Sequence, residues 1–240
     1  MAEAKTALVT GAARGIGAAT AERLAHDGWR VVLADRDPAG AATALRLGEA
    51  ARFEHADVAD EDQVLRTINV LREREGRLDA LVCNAGFMIR KPLARLTLAE
   101  WNSVLATNLT STFLLARAAE DLLRAAHGAV VTIASTRAHQ SEADTESYAA
   151  SKGGLVALTH ALSISLGPQV RVNCISPGWI NSRGEALRDA DHAQHPAGRV
   201  GTPEDVAALI AWLIGPESSF ITGAEFLLDG GMTRKMIYLE

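Results

Sequence analysis

Short apolar runs alternate along this chain with stretches in which apolar residues return every three or four positions. The runs lie at 6–10 (TALVT), 30–35 (RVVLAD), 51–56 (ARFEHA), 78–83 (LDALVC), 129–134 (AVVTIA), 170–175 (VRVNCI) and 225–229 (EFLLD). Several read as near-continuous apolar runs, as expected of strands covered on both faces. The helical stretches fall near 16–27, 60–74, 98–126, 146–166 and 203–214. Asp60 with Gln63, and Thr97 with Glu100, have the spacing of capping boxes. Thr202, Pro203 and Glu204 read as an N-cap followed by proline at the first helical position. Alternation of this kind predicts an α/β fold, a doubly wound, seven-stranded parallel sheet flanked by helices. Ligands of such sheets bind at the carboxyl ends of the strands. Those ends are therefore the places to look for chemistry.

Composition narrows the picture. The 240 residues, 48% hydrophobic, suit one large domain spanning 1–240, with no Pro/Gly/Ser-rich linker and no internal repeat. An excess of 29 Asp+Glu over 24 Lys+Arg disfavours nucleic-acid binding, which needs basic surface. The N-terminal residues lack a signal-peptide core, and no apolar run reaches membrane-spanning length, so a cytoplasmic protein away from membranes is expected. Cys83 and Cys174 each close an apolar run and read as buried thiols of a reducing compartment. With two cysteines and seven scattered histidines, no metal site is expected.

The first strand end carries T-G-A-A-R-G-I-G, with Gly11, Gly15 and Gly17. Glycines there permit a tight turn and let the backbone approach a pyrophosphate. The helix that opens near Gly15 adds free N–H groups and the positive end of its dipole. The spacing is G-x-x-x-G-x-G rather than the more general G-x-G-x-x-G. The second strand ends at Asp35, eighteen residues past Gly17. A carboxylate there can accept hydrogen bonds from the adenosine ribose and would repel a 2′-phosphate, which favours NAD. Arg36 beside it and Arg14 inside the turn keep NADP open.

Further on, Tyr148 and Lys152 stand four residues apart in S-Y-A-A-S-K-G-G, and Ser135 lies thirteen before the tyrosine. On a helix, positions i and i+4 share a face. A neighbouring ammonium favours phenolate and lowers the tyrosine pKa. A tyrosine tuned in this way is a usable general acid/base.

Taken together, these motifs make the chain resemble the short-chain dehydrogenase/reductase family, in its small single-domain, Rossmann-like branch, over nearly the whole length from Thr6 to Gly231. The glycine turn, Ile16 included, matches the family's cofactor turn. Asp57-Val58 matches its adenine-contacting pair, and Asn84-Ala85-Gly86 the segment closing its fourth strand. Asn108 in T-N-L-T matches the helix asparagine of the catalytic set that Ser135, Tyr148 and Lys152 complete. Pro177-Gly178 matches the turn beside the nicotinamide, with Ile180 close behind it. The family usually has threonine where this chain has Ser182, which retains a hydroxyl. The longer sugar-nucleotide epimerases, and the enoyl reductases with their wider Tyr–Lys spacing, fit less well.

The resemblance implies hydride transfer between a nicotinamide cofactor and a small secondary alcohol or ketone. Tyr148 would be the proton donor or acceptor, and Ser135 would bind the substrate oxygen. Lys152 would tune Tyr148 and hold the nicotinamide ribose, while Asn108 would position a water linking Lys152 to solvent. It also implies a homotetramer joined through the helices near 98–126 and 146–166, with the tail 232–240 packed on a neighbour. A lid over 179–200 would offer Trp179, Ile180, Leu187, Asn181, Arg183 and His192 to substrate. The stretch after Ser135 would form the other wall, its mouth made acidic by Glu142, Asp144 and Glu146. Two other readings stay open, a non-catalytic NAD-binding sensor or scaffold and a 3-oxoacyl thioester reductase.

Overall fold

A computed structural model describes residues 4–236. Its centre is a parallel sheet in the order β3-β2-β1-β4-β5-β6-β7. The strands are β1 Thr6–Thr10, β2 Arg30–Asp35, β3 Ala51–His55, β4 Ala80–Cys83, β5 Ala129–Ile133, β6 Arg171–Pro177 and β7 Glu225–Leu228. Side chains alternate across a strand, and β1 shows the consequence. Leu8 packs on one face with Val32, Ile68, Leu81, Leu115 and Leu123. Ala7 and Val9 pack on the other with Leu24, Leu33, Val82, Ile210 and Leu213. Both faces of the sheet are thus covered, which is why several strands read as near-continuous apolar runs.

The helices follow in sequence: α1 Gly15–His26, α2 Gly40–Leu47, α3 Glu61–Arg74, α4 Leu98–Leu105, α5 Ser111–Ala118, α6 Glu120–Ala126, α7 Glu146–Leu166, α8 Asp189–His192 and α9 Pro203–Ile214. The spans expected for α7 and α9 hold to the residue. The stretch 98–126 is not one helix. A π turn at Ala106–Thr110 separates α4 from α5, and Ala119, at φ −101° and ψ 3°, separates α5 from α6. Two helices escaped the sequence pattern, the Ala-rich α2 and the single turn α8.

Capping follows local chemistry. Thr97 and Glu100 make the reciprocal box at α4. At α3, Asp60 accepts from the Gln63 N–H, but the Gln63 side-chain oxygen reaches past it to the Asp57 N–H at 3.0 Å. The expected reciprocal box is therefore replaced by a bond that fixes the loop after β3. Proline opens α9, and the Asp205 carboxylate accepts from the Thr202 N–H at 2.8 Å.

Strand order reverses between β1 and β4. The chain leaves β3 at one edge and returns as β4 on the other side of β1. A crevice opens where such a reversal occurs. Here it is stitched at its floor. The Thr10 hydroxyl donates to the Val82 carbonyl and accepts from the N–H groups of Asn84 and Ala85. The Asn84 amide donates back to the carbonyls of Thr10 and Gly11.

Candidate active site

The crevice widens into a cleft of about 1140 Å³ across the strand ends. Of the cofactor and catalytic residues expected from sequence, Gly17 and Asn108 stand behind its wall and the others line it. The glycine turn forms the near end. A Cβ on Gly17 would lie 2.2 Å from the Gly11 carbonyl oxygen, and one on Gly11 would lie 2.8 Å from the Ala85 Cα. Gly11 also has φ +64°, a conformation only glycine adopts freely. The turn thus needs glycine to bring β1, α1 and the Asn84 segment together. Arg14 at the N-cap of α1 makes no side-chain cap, and no acidic residue stands in the first turn. The helix N–H groups and dipole are left facing the cleft, which suits a pyrophosphate. Gly17→Ala is expected to cost about 1–3 kcal/mol through overpacking and to weaken NADH binding with it. Thermal unfolding and a fluorescence titration read both. Wild-type values in each would refute the packing argument.

Asp35, at the end of β2, accepts from the Ala13 N–H and the Asp37 N–H, each at 2.9 Å. Its carboxylate is therefore fixed at the rim. The two arginines near it, Arg14 and Arg36, also line the cleft, each beside another partner. Arg14 lies 3.6 Å from Asp37, and the Arg36 guanidinium sits over the Phe87 ring at 5.6 Å. Asp37, Phe87 and Met88 also line the cleft and were not foreseen. The repeated acid in D-R-D-P and the position of Phe-Met directly after Asn84-Ala85-Gly86 were the signals available.

The far end holds Ser135, Tyr148 and Lys152. Tyr148 and Lys152 sit on one face of α7, with the Lys152 ammonium 5.5 Å from the Tyr148 ring centre. Lys152 is 4% exposed, and its Nζ donates to the Ile133 carbonyl at 2.6 Å. Burial pushes its pKa down to about 8. Burial also pushes the Tyr148 phenol up, against lowering by the Ser135 hydroxyl and the Arg137 charge. The net lowering of Tyr148 expected from sequence does not appear in the protein alone, because desolvation dominates; Arg137 is one cation that favours the phenolate. Ser135 accepts from the Arg137 N–H at 3.1 Å, and its own O–H is directed to the Tyr148 phenol, where a substrate oxygen would compete for it.

Asn108 lies in the π turn and is buried. Its carboxamide accepts from the Phe87 N–H and donates to the Phe87 carbonyl and to the Ser151 Oγ. Ser151 in turn donates to the Tyr148 carbonyl at 2.7 Å. Asn108 therefore ties the loop after β4 to the turn of α7 that carries Tyr148. π turns recur at functional sites, and this one aims the amide inward.

The substrate end differs from expectation in several places. Trp179, Ile180, Ser182 and Arg183 line the cleft, but Asn181, Leu187 and His192 do not. Asn181 clasps the backbone of Glu185, and His192 accepts from the Val200 N–H. Asp144 and Glu146 also lie outside the lining, and Glu142 is engaged by both Arg90 and Arg137. The mouth is accordingly not acidic.

Among the described residues no group of three or more His, Cys, Asp or Glu could hold a metal, and no helix is long and apolar enough to cross a membrane. Cys83 and Cys174 are both free and buried, and burial pushes the Cys83 thiol up to about 12.

The sequence model of a family described as enoyl-(acyl carrier protein) reductase matches residues 11–233. An uncharacterized oxidoreductase of Thermotoga maritima is 46% identical over 256 residues, covering 100% of both chains. The chain belongs to the short-chain dehydrogenase/reductase family. A second family relative, D-threitol dehydrogenase of Mycolicibacterium smegmatis, is 38% identical over 249 residues, covering 97% of this chain and 94% of the other. The 3-ketoacyl-(acyl-carrier-protein) reductase of Brucella melitensis complexed with NADH superposes with a TM-score of 0.90 at 31% identity, over 97% of this chain and 100% of that one. As a short-chain dehydrogenase/reductase, this protein is an oxidoreductase that moves hydride between a nicotinamide cofactor and an alcohol or ketone.

Proposed function

We propose that this enzyme is an NAD-preferring dehydrogenase of small secondary alcohols, with Tyr148 as general acid/base. The observation that carries the reading is the convergence of Ser135, Tyr148 and Lys152 at one end of a cleft whose other end is the glycine turn and Asp35.

The glycine turn and the α1 N-terminus would hold the pyrophosphate, and Asp35 would receive the adenosine ribose. Asp57, Val58, Ala85 and Gly86 would flank the adenosine half. Pro177, Gly178, Ile180 and Ser182 would flank the nicotinamide half. The bound nicotinamide supplies the hydride acceptor or donor. Ser135 donates its O–H to the substrate oxygen and stabilises charge that develops there. Tyr148 takes the alcohol proton in oxidation and returns it in reduction. Lys152 has donors left beyond its bond to Ile133, which suit a ribose hydroxyl and a water held near Asn108. Its positive charge, with that of Arg137, supports the phenolate.

NAD preference rests on charge. The Asp35 carboxylate is fixed at the rim, and both neighbouring arginines have other partners. A 2′-phosphate would meet a like charge there, which costs several-fold to many-fold in affinity. Asp35→Asn keeps the shape and removes the charge. It is expected to lower the ratio of kcat/KM for NAD over NADP by roughly tenfold or more. An unchanged ratio would remove Asp35 from that role.

A homotetramer in the cytoplasm is the assembly and location we infer. Exposed Leu98, Phe113 and Ile164 on α4, α5 and α7 support the first, and two free buried thiols suit the second. The segment beyond Met236, part of the tail expected to pack on a neighbour, lies outside the described residues. Light scattering reads the mass directly.

The deciding experiment follows nicotinamide absorbance with NAD and NADP against secondary alcohols, polyols and hydroxyacyl thioesters. Turnover with a small alcohol, faster with NAD, is the expected result. Turnover confined to thioesters would make the enzyme an acyl reductase. NADH binding without turnover on any class would point to a sensor or scaffold.

A further inference from the structure

Arg137 is not among the residues expected to do chemistry, yet it stands at the reacting end of the cleft with Tyr148 and Trp179. It follows Ser135 by two residues, and its own N–H holds the Ser135 hydroxyl oxygen. The turn at Thr136–Ala138 therefore fixes the guanidinium relative to the site of proton transfer. Its Nη2 lies 2.5 Å from Glu142 Oε1. Its Nη1 is buried and has no partner among the described residues. A buried donor without an acceptor is costly unless a ligand supplies one.

Glu142 shows what that acceptor resembles. It sits between the turn at Thr136–Ala138 and α7, half exposed. Arg90 binds its second oxygen from the other side. One half-exposed carboxylate is thus shared by two guanidinium groups at the substrate end of the cleft, Arg137 within its lining and Arg90 outside it. Planar two-oxygen anions are what a guanidinium fork fits best. The other arginine lining this end, Arg183, is 81% exposed and 3.7 Å from Glu185. An exposed, solvated charge of that kind contributes little.

We propose that Arg137 is the specificity-determining residue of the substrate end, holding the carboxylate of a hydroxy- or oxo-acid in the place that Glu142 occupies until substrate displaces it. This rests on the oxidoreductase reading of the same cleft and adds the substrate class. The Arg137 charge then serves twice, since it also favours the Tyr148 phenolate.

The test is calorimetry on the NADH-loaded enzyme with a matched pair, cyclohexanecarboxylate and cyclohexanecarboxamide. The carboxylate is expected to bind roughly 10- to 100-fold more tightly. Arg137→Gln abolishes that preference, and Arg137→Lys retains part of it. Glu142→Gln acts in the opposite direction and tightens carboxylate binding by roughly threefold to tenfold, because the internal competitor is gone. A purely structural Arg137–Glu142 pair would give weakening in both variants. Equal binding of the pair, no binding of either, or a preference that survives in Arg137→Gln overturns the proposal. Should Arg137→Gln fail to fold, an undiminished preference in Arg137→Lys does so. Failure of the oxidoreductase reading is distinct. It appears as no nicotinamide absorbance change with any alcohol while the carboxylate preference stands.

Discussion

Tyr148→Phe is expected to lower kcat by roughly 10²–10⁴-fold, the usual worth of positioned general acid/base help, while NADH affinity stays near that of the wild type. The phenol oxygen is the part of Tyr148 that the chemistry needs. The ring, which packs beside Lys152, is retained in the variant. α7 continues unbroken from Glu146 to Leu166, and the bond from Ser151 to the Tyr148 carbonyl involves only backbone at position 148. The fold therefore has little reason to change.

The pH profile supplies a second readout. Oxidation needs the phenolate, and burial pushes the Tyr148 phenol up. Wild-type oxidation should accordingly accelerate as pH rises into the alkaline range. Reduction, which needs the protonated phenol, should slow over the same range. Tyr148→Phe should lose the alkaline rise. Stopped-assay kcat/KM against pH measures both limbs. A variant that keeps the rise, or turns over like wild type, would show that another group moves the proton.

Much of this site was legible because its determinants are local. Tyr148 and Lys152 fall on one helix, so spacing alone puts them on one face. Gly11 and Gly17 are required by close backbone approach, and the strand–helix boundary marks them in the sequence. What stayed hidden depends on partners remote in the chain. Nothing in A-T-N-L-T announces a π turn. It arises where Asn108 reaches Phe87 and Ser151, 21 and 43 residues away. α2 lacks a polar face contrasting with its alanines, and its Gly40 is set by contact with Phe53 on β3. Asn181 and His192 carry groups suited to substrate, but local backbone satisfies them first. The acidic look of the segment 142–146 fails for a related reason. Charge along a sequence says nothing about Arg90, which arrives from 52 residues away to bind Glu142.

Lys152→Met should abolish most turnover and yet raise the melting temperature at neutral pH. Lys152 is 4% exposed, and among the described residues its ammonium donates to the Ile133 carbonyl. Burial pushes its pKa from the ordinary 10.5 down to about 8. The folded protein thus binds this proton less tightly than the unfolded chain does, and wild-type stability should rise with pH between about 8 and 10.5. Below pH 8 the handicap is complete and amounts to roughly 3 kcal/mol. Methionine matches the stem and carries no charge. Leaving the Ile133 carbonyl without its donor returns about 1–3 kcal/mol of that gain. The net stabilisation is then at most about 2 kcal/mol, and each kcal/mol raises the melting temperature by about 2–4 °C in a chain of this size. The advantage should shrink as pH rises from 8 toward 10.5, because the wild type sheds its buried charge over that interval. Calorimetric melts of both proteins at several pH values decide it. A variant less stable than wild type at pH 7, or a difference that does not narrow with pH, would mean that the buried ammonium is well compensated in the fold. The expected outcome has a functional meaning. A cation kept in a dry site at the expense of stability is retained for what it does to the phenol and the ribose rather than for folding.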